Sequence, residues 1–366
     1  MHASLDSLRR QFLTGVGGAG ALYLGGRVAA DDQNHDDDDG DGYDADREDE
    51  LDDPQDVDVD GIAADPTEVP DPVDWDEPRH HEITLTSEEY VAEIEEDVTF
   101  RYMTFEGKVP APLIRVRRGD TVHLTFEVPE ERNRDVHNVD FHAVYGPGGG
   151  AEDTTLAPGD DPAEIEFTLE YPGVHIYHCA VPNMDQHISA GMFGAILVEP
   201  EDGLPEVDRE LYFGQHEVYT TGEAGEEGHH QYDFDATADE DPTYVLTNGE
   251  AYAFAADGPY GPIEVEKGET VRLFFANGGP NLTSSWHAIG NVWETLYRDG
   301  SFGDDANWVE TTPVGPGTVT AAEIETPVPG PIHLVDHALS RVVRKGCLAT
   351  IDVQGDPEED IYNPDP

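Results

Sequence analysis

Ile114-Arg115-Val116-Arg117-Arg118-Gly119-Asp120-Thr121-Val122-His123-Leu124 returns 149 residues later as Ile263-Glu264-Val265-Glu266-Lys267-Gly268-Glu269-Thr270-Val271-Arg272-Leu273. Each copy alternates apolar and polar residues, breaks at a glycine, and resumes the alternation. That pattern predicts two half-buried strands joined at a glycine turn. The likeness extends to the later part of each copy. Tyr171-Pro172-Gly173 and Val328-Pro329-Gly330 each precede a further strand pattern, and Gly191-Met192 parallels Gly346-Cys347. Solenoid units run to roughly 20–50 residues, so this spacing means tandem domains instead. The chain has 366 residues, with 38 Gly and 27 Pro punctuating short alternating runs. The expected fold class is all-β: two tandem Greek-key β-sandwiches, over residues 78–203 and 204–366.

The formal net charge is -61. Residues 31–77 hold 23 acidic side chains and one Arg, and are expected to be a disordered acidic linker. Residues 78–366 still hold 56 acidic against 15 basic side chains, with three Lys in the whole chain. Self-repulsion on that scale calls for screening, and at molar salt the screening length falls to about 3 Å. A high-salt environment is inferred, and nucleic acid is excluded as a partner. Within the acidic run, Asp37 to Glu48 formally matches a calcium-loop pattern, but so Asp-rich a segment matches almost for free. At the N-terminus, Arg9-Arg10-Gln11-Phe12-Leu13 and an uncharged stretch through Gly26 resemble a twin-arginine signal over residues 1–30. Val28-Ala29-Ala30 offers small residues for cleavage. The protein is expected to be exported and to work outside the cytoplasm, on the cell-surface side of the membrane.

The chemistry gathers in a few residues: His137-Asn138-Val139-Asp140-Phe141-His142, then His178-Cys179, His187 and Met192. Cys179, His187 and Met192 follow a Cys-x7-His-x4-Met spacing and, with His137, offer a thiolate, two imidazoles and a thioether. A Cys with two His and a weak axial Met is the blue-copper pattern. Met184, in the same segment, competes for the axial place. His178 is bonded to Cys179 but points to the other side of a strand. It begins a second site with His142, which needs a third His, for which His337 is the candidate; the three need not meet within one chain and could meet between subunits. The second copy has Asp336-His337 where the first has His178-Cys179, and Cys347 where the first has Met192. It therefore lacks the thiolate, and Cys347 reads as a buried core residue, with no disulfide to Cys179. His80, His81, His229 and His230 sit in acidic stretches and read as solvated. Asn281-Leu282-Thr283 is a formal glycosylation sequon close to His287.

With His-Asn-Val-Asp-Phe-His, Tyr-His-Cys-Ala, His-x4-Met, Trp286-His287-Ala288-Ile289-Gly290 and Leu334-Val335-Asp336-His337 in order, the chain closely resembles copper-containing nitrite reductases over about residues 100 to 355. The resemblance implies a homotrimer of subunits with two cupredoxin-type domains, and two coppers per subunit. It implies type 1 copper on His137, Cys179, His187 and Met192. Type 2 copper would lie on His142 and His178, with His337 from the neighbouring subunit. Asp140 and His287 match the family's catalytic residues, and Ile289 the apolar residue shaping the nitrite pocket. The implied reaction is one-electron reduction of nitrite to nitric oxide, as in denitrification, fed by a small blue-copper protein or a cytochrome.

Two other readings compete. A two-domain multicopper oxidase would need a trinuclear cluster built from His-x-His pairs, and the chain has none. A blue-copper electron-transfer protein would leave Asp140, His142, His178 and His337 without purpose.

Overall fold

The computed structural model describes residues 51–364. The twin-arginine stretch and the calcium-like run lie outside them. Four sheets make up the described chain. The first has the order β10 (Gly228–His230), β2 (Val98–Phe105), β1 (His80–Glu95), β4 (Thr121–Glu127), β6 (Ala163–Thr168). The second runs β3 (Ala111–Arg117), β8 (Phe193–Glu199), β7 (Gly173–His178), β5 (Asp140–Phe141). The third is β11 (Tyr244–Thr247), β9 (Arg209–Val218), β13 (Thr270–Gly279), β18 (Thr318–Glu325), β15 (Trp293–Tyr297), β16 (Ala306–Val309). The fourth is β12 (Ile263–Glu266), β20 (Leu348–Gln354), β19 (Gly330–Asp336), β14 (Ser284–Ile289), β17 (Thr311–Val314).

The two halves repeat one pairing scheme. β1 runs parallel to β4 as β9 does to β13, and β3 parallel to β8 as β12 does to β20. β5 pairs with β7 through Asp140 and His178, as β14 pairs with β19 through Trp286 and Asp336. The repeated strand-glycine-strand unit is not a hairpin. β3 and β4 belong to different sheets, as do β12 and β13. Gly119 (φ 89°) and Gly268 (φ 92°) turn the chain from one sheet to the other, through a region that favours glycine. Apolar alternation along β4 buries Val122, Leu124 and Phe126 in the first core, where Phe105 lies against Phe126 and Tyr177. In the second core, Trp286 stacks between Phe275 and Trp293, with ring centroids 4.6 and 4.0 Å away. Such contacts add about 0.5–1.5 kcal/mol each beyond area burial.

Buried charges tie the halves together. Arg115 on β3 pairs with Glu199 (2.6 Å) and Glu210, and Arg272 on β13 with Glu210 (2.8 Å) and Glu323 (2.7 Å). Glu210 on β9 is the shared member. β10 comes from the second half yet extends the first sheet beside β2.

Residues 51–77 correct the expectation of a disordered linker throughout 31–77. They run as a strap over both halves. Ile62 is fully buried, and the backbone N–H groups of Ile62 and Ala63 donate to Glu250. Ala64 N–H donates to the Val109 carbonyl, and Tyr212 N–H to that of Pro66. The sparse apolar residues Ile62 and Ala63 find a core to enter, and backbone hydrogen bonds do the rest. His229 and His230 are likewise buried, not solvated. β10 carries them inward, and Thr99 and Thr220 meet their Nδ1 atoms at 3.0 Å. His81 is held by the buried carboxylate of Asp120 at 2.8 Å, whereas His80 is exposed. Cys179 and Cys347 are both free and buried, as expected.

Candidate metal centres

β7 ends at His178, and the chain then turns through a short helix, α1 (Met184–Ser189), before β8. The corner between these two strands therefore contains a helix. Asn183, at φ 66°, starts it, and its one buried turn delivers His187. Two backbone bonds close the corner: Met192 N–H to the His187 carbonyl (3.0 Å) and Cys179 N–H to the Met192 carbonyl (3.2 Å). His137 is fixed from the other side by reciprocal backbone bonds with Leu156 (3.0 and 2.9 Å).

These elements bring His137, Cys179 and His187 together, with ligand atoms all within 4.8 Å of one another. Cys179 Sγ lies 3.5 Å from His187 Nδ1 and 4.0 Å from His137 Nδ1. Asn138 braces the thiol: its Oδ1 accepts from Ala180 N–H at 2.7 Å and stands 3.7 Å from Cys179 Sγ. Met192 is 0% exposed at the same corner, whereas Met184 is 41% exposed, so burial favours Met192 as the thioether of this set. Burial pushes the Cys179 thiol up to about 11. Burial, then the nearby His137, pushes the His187 imidazole down to about 4. A thiol and two imidazoles converge here in a buried setting. Two imidazoles and a thiol whose proton a cation would displace fit a soft metal ion.

The second group is Asp140, His142 and His178, again within 4.8 Å. Asp140 sits opposite His178 in the β5–β7 pair. The His178 Nδ1–H donates to the Cys179 carbonyl (3.0 Å), so Nε2 is the nitrogen turned to the pair, 3.0 Å from His142 Nε2. Burial, then His178, lowers the His142 pKa. Gly149, at φ 59°, packs against Asp140, and a Cβ there would overlap its carboxylate. That glycine fixes where the acid can stand.

His337 does not join this pair within one chain. It is exposed, directly after β19, with its ring 5.4 Å from that of His287. His287, on β14, donates from Nδ1 to the Glu310 carbonyl, which commits that ring nitrogen to the backbone. Ile289, two residues on, is 40% exposed, unusual for isoleucine. Asp336 steadies this end: its Oδ1 accepts from Ser285 and Ala338 N–H (both 3.0 Å), and its Oδ2 pairs with Arg341. Cys347 lies beside it, 3.3 Å from Gln215. Asn281 is engaged, its amide donating to Tyr219 Oη and the Thr237 carbonyl, so the sequon asparagine already has an internal role. Sequence reading missed Glu89, buried against His137, although period-two alternation along β1 placed it on the inward face.

Residues 72–202 match the family model described as multicopper oxidase. The copper-containing nitrite reductase of Neisseria meningitidis serogroup B is 40% identical over 303 residues, 83% of this chain and 76% of that protein. That of Rhizobium sullae is 33% identical, covering 78% of each. Among solved structures, the copper nitrite reductase from Nitrosomonas europaea aligns with a TM-score of 0.67 at 30% identity, over 76% of this chain and 95% of that one. A multicopper oxidase crystal structure aligns at 0.62 with 23% identity, a likeness of fold alone.

Proposed function

The chain belongs to the copper-containing nitrite reductases, and we propose that its two centres divide the reaction between electron entry and nitrite binding. It is a copper-dependent oxidoreductase of cupredoxin-type fold that reduces nitrite to nitric oxide, NO2⁻ + e⁻ + 2H⁺ → NO + H2O. Bound copper supplies the one-electron chemistry. His137, Cys179, His187 and Met192 would hold the type 1 ion. Their backbone-tied, buried setting gives them little room to rearrange when the ion changes charge.

His142 and His178 would hold the type 2 ion with His337 of a neighbouring copy. In support, each half offers an incomplete set. One surface carries Asp140, His142 and His178. Another carries His337 with the exposed apolar Leu339 and, on α3 (Ser340–Lys345), Val343; α3 follows α2 (Phe234–Ala238) in the chain. A head-to-tail ring would join them, and a homotrimer is proposed. The observation that carries this reading is the single peptide bond between His178 and Cys179. It is a covalent route from one centre to the other.

Two protons are consumed, and two groups are available to move them. Asp140 would hydrogen-bond the bound nitrite through its carboxyl. His287 would pass a proton from Nε2 through a water, its Nδ1 being committed to Glu310. Ile289 would present its apolar side chain to the nitrite pocket. A small blue-copper protein or cytochrome is the proposed donor. Export by the twin-arginine route is proposed from Arg9-Arg10-Gln11-Phe12-Leu13, and a high-salt setting from the charge of -61. On that reading both activity and the unfolding midpoint fall as salt is lowered from molar toward 0.1 M, on the order of the range over which screening is lost. A maximum in dilute buffer would remove it.

Anaerobic incubation of the copper-loaded protein with nitrite and an artificial electron donor tests the reading. One NO per electron is expected. Oxidation of the type 1 centre without NO would favour a simple electron carrier.

A further inference from the structure

Glu89 stands in the middle of β1, on the inward face with Leu85, Ser87 and Val91. Its side chain is 1% exposed, where an apolar residue would ordinarily sit. A buried carboxylate is costly unless hydrogen bonds meet it. Here one oxygen is met three times. Oε1 accepts from the N–H groups of Arg134 (2.7 Å) and Asp135 (3.0 Å) and from His137 Nε2–H (3.2 Å). Oε2 has no hydrogen-bond partner, and Arg101 Nη1 is 3.8 Å away. All three donors belong to the segment that brings His137 to the first centre.

Because a carboxylate oxygen so placed accepts, His137 must carry its proton on Nε2. The other ring nitrogen, Nδ1, is the atom facing Cys179 Sγ at 4.0 Å. The same carboxylate sets the tautomer, the ring plane and the path of the preceding loop. It is also a negative charge one imidazole away from the ligand atoms, in surroundings where charge is weakly screened. Partners of this kind raise the basicity of a ligand imidazole.

We propose that Glu89 is a positioning residue for the type 1 centre: it locks His137 with Nδ1 toward the metal and, as a buried negative charge, lowers the centre's reduction potential by favouring the more positive oxidation state. The inference rests on His137 being a copper ligand. A purely structural role, pinning residues 134 and 135, would alter the melting temperature without moving the potential.

The test is a redox titration of the visible thiolate–copper band in wild type and Glu89→Gln. The amide keeps the shape and an acceptor oxygen but removes the charge. The band is expected to survive and the midpoint potential to rise. A copper-loaded variant with unchanged potential overturns the proposal. Should that variant not fold, Glu89→Asp keeps the charge but withdraws it from His137. A displaced band and a raised potential are then expected, and an unchanged band and potential again overturn the proposal. His137→Ala tests the underlying reading separately. Loss of the band supports the ligand role, and its persistence removes that role whatever the Glu89 variants do.

Discussion

His178 and Cys179 share one peptide bond yet serve opposite sides of the chain: Cys179 Sγ lies 3.5 Å from His187 Nδ1, and His178 Nε2 lies 3.0 Å from His142 Nε2. The carbonyl of Cys179 itself accepts from His178 Nδ1–H at 3.0 Å, so the link is doubled by a hydrogen bond. The side chains diverge because they leave the end of β7 at successive positions. The relationship decides what the protein can do. On the proposed reading, electron entry and substrate reduction stay separate in space but joined through covalent bonds.

Asp140 faces the second centre and contributes no atom to the first. Asp140→Asn is expected to keep the visible band of type 1 copper and to lose turnover on the order of 10²-fold, the usual scale for a lost proton-transfer group. Steady-state NO formation and the absorption spectrum check this together. Full activity would remove Asp140 from its assigned role.

Arg272 is buried between Glu210 and Glu323 and holds the second half to the charges around Arg115. Arg272→Met leaves those carboxylates short of a partner, and a loss of about 3–5 kcal/mol is expected in urea unfolding. A loss below about 1 kcal/mol would mean that the network contributes little to stability.

His216 is fully buried, and burial pushes its pKa from 6.5 down to about 4; Nδ1 donates to the Ser189 carbonyl at 2.9 Å, and Nε2 has no partner. Between those values the unfolded chain binds a proton that the folded chain refuses. Stability from this residue is therefore complete above about pH 6.5 and is lost as pH falls toward about 4, by about 3 kcal/mol at most. His216→Leu is expected to flatten the stability–pH curve over that window. An unchanged slope would contradict the assignment.

How much of this the sequence disclosed depended on range. Cys179, His187 and Met192 fall within fourteen positions, so their spacing alone pointed to one corner. The repeat at Gly119 and Gly268 disclosed the tandem halves, though not that each glycine carries the chain between sheets. Composition misled where burial is sparse. Residues 51–77 look like solvated acidic chain, yet Ile62 enters the core and backbone groups of that stretch bond to distant partners. His229-His230 look exposed because their neighbours are acidic, but pairing with β2, some 130 positions earlier, buries them. Glu89 was hidden for the same reason. Its partner His137 lies 48 positions away, and only the folded sheet brings them together.

The central claim is that each nitrite site takes its third imidazole from another copy. Copper counting with NO assay on His337→Ala tests it most directly. The account predicts two coppers per chain in the wild type, and one in the variant, with the visible band intact and NO formation lost. Two retained coppers with undiminished NO formation in the variant would contradict it.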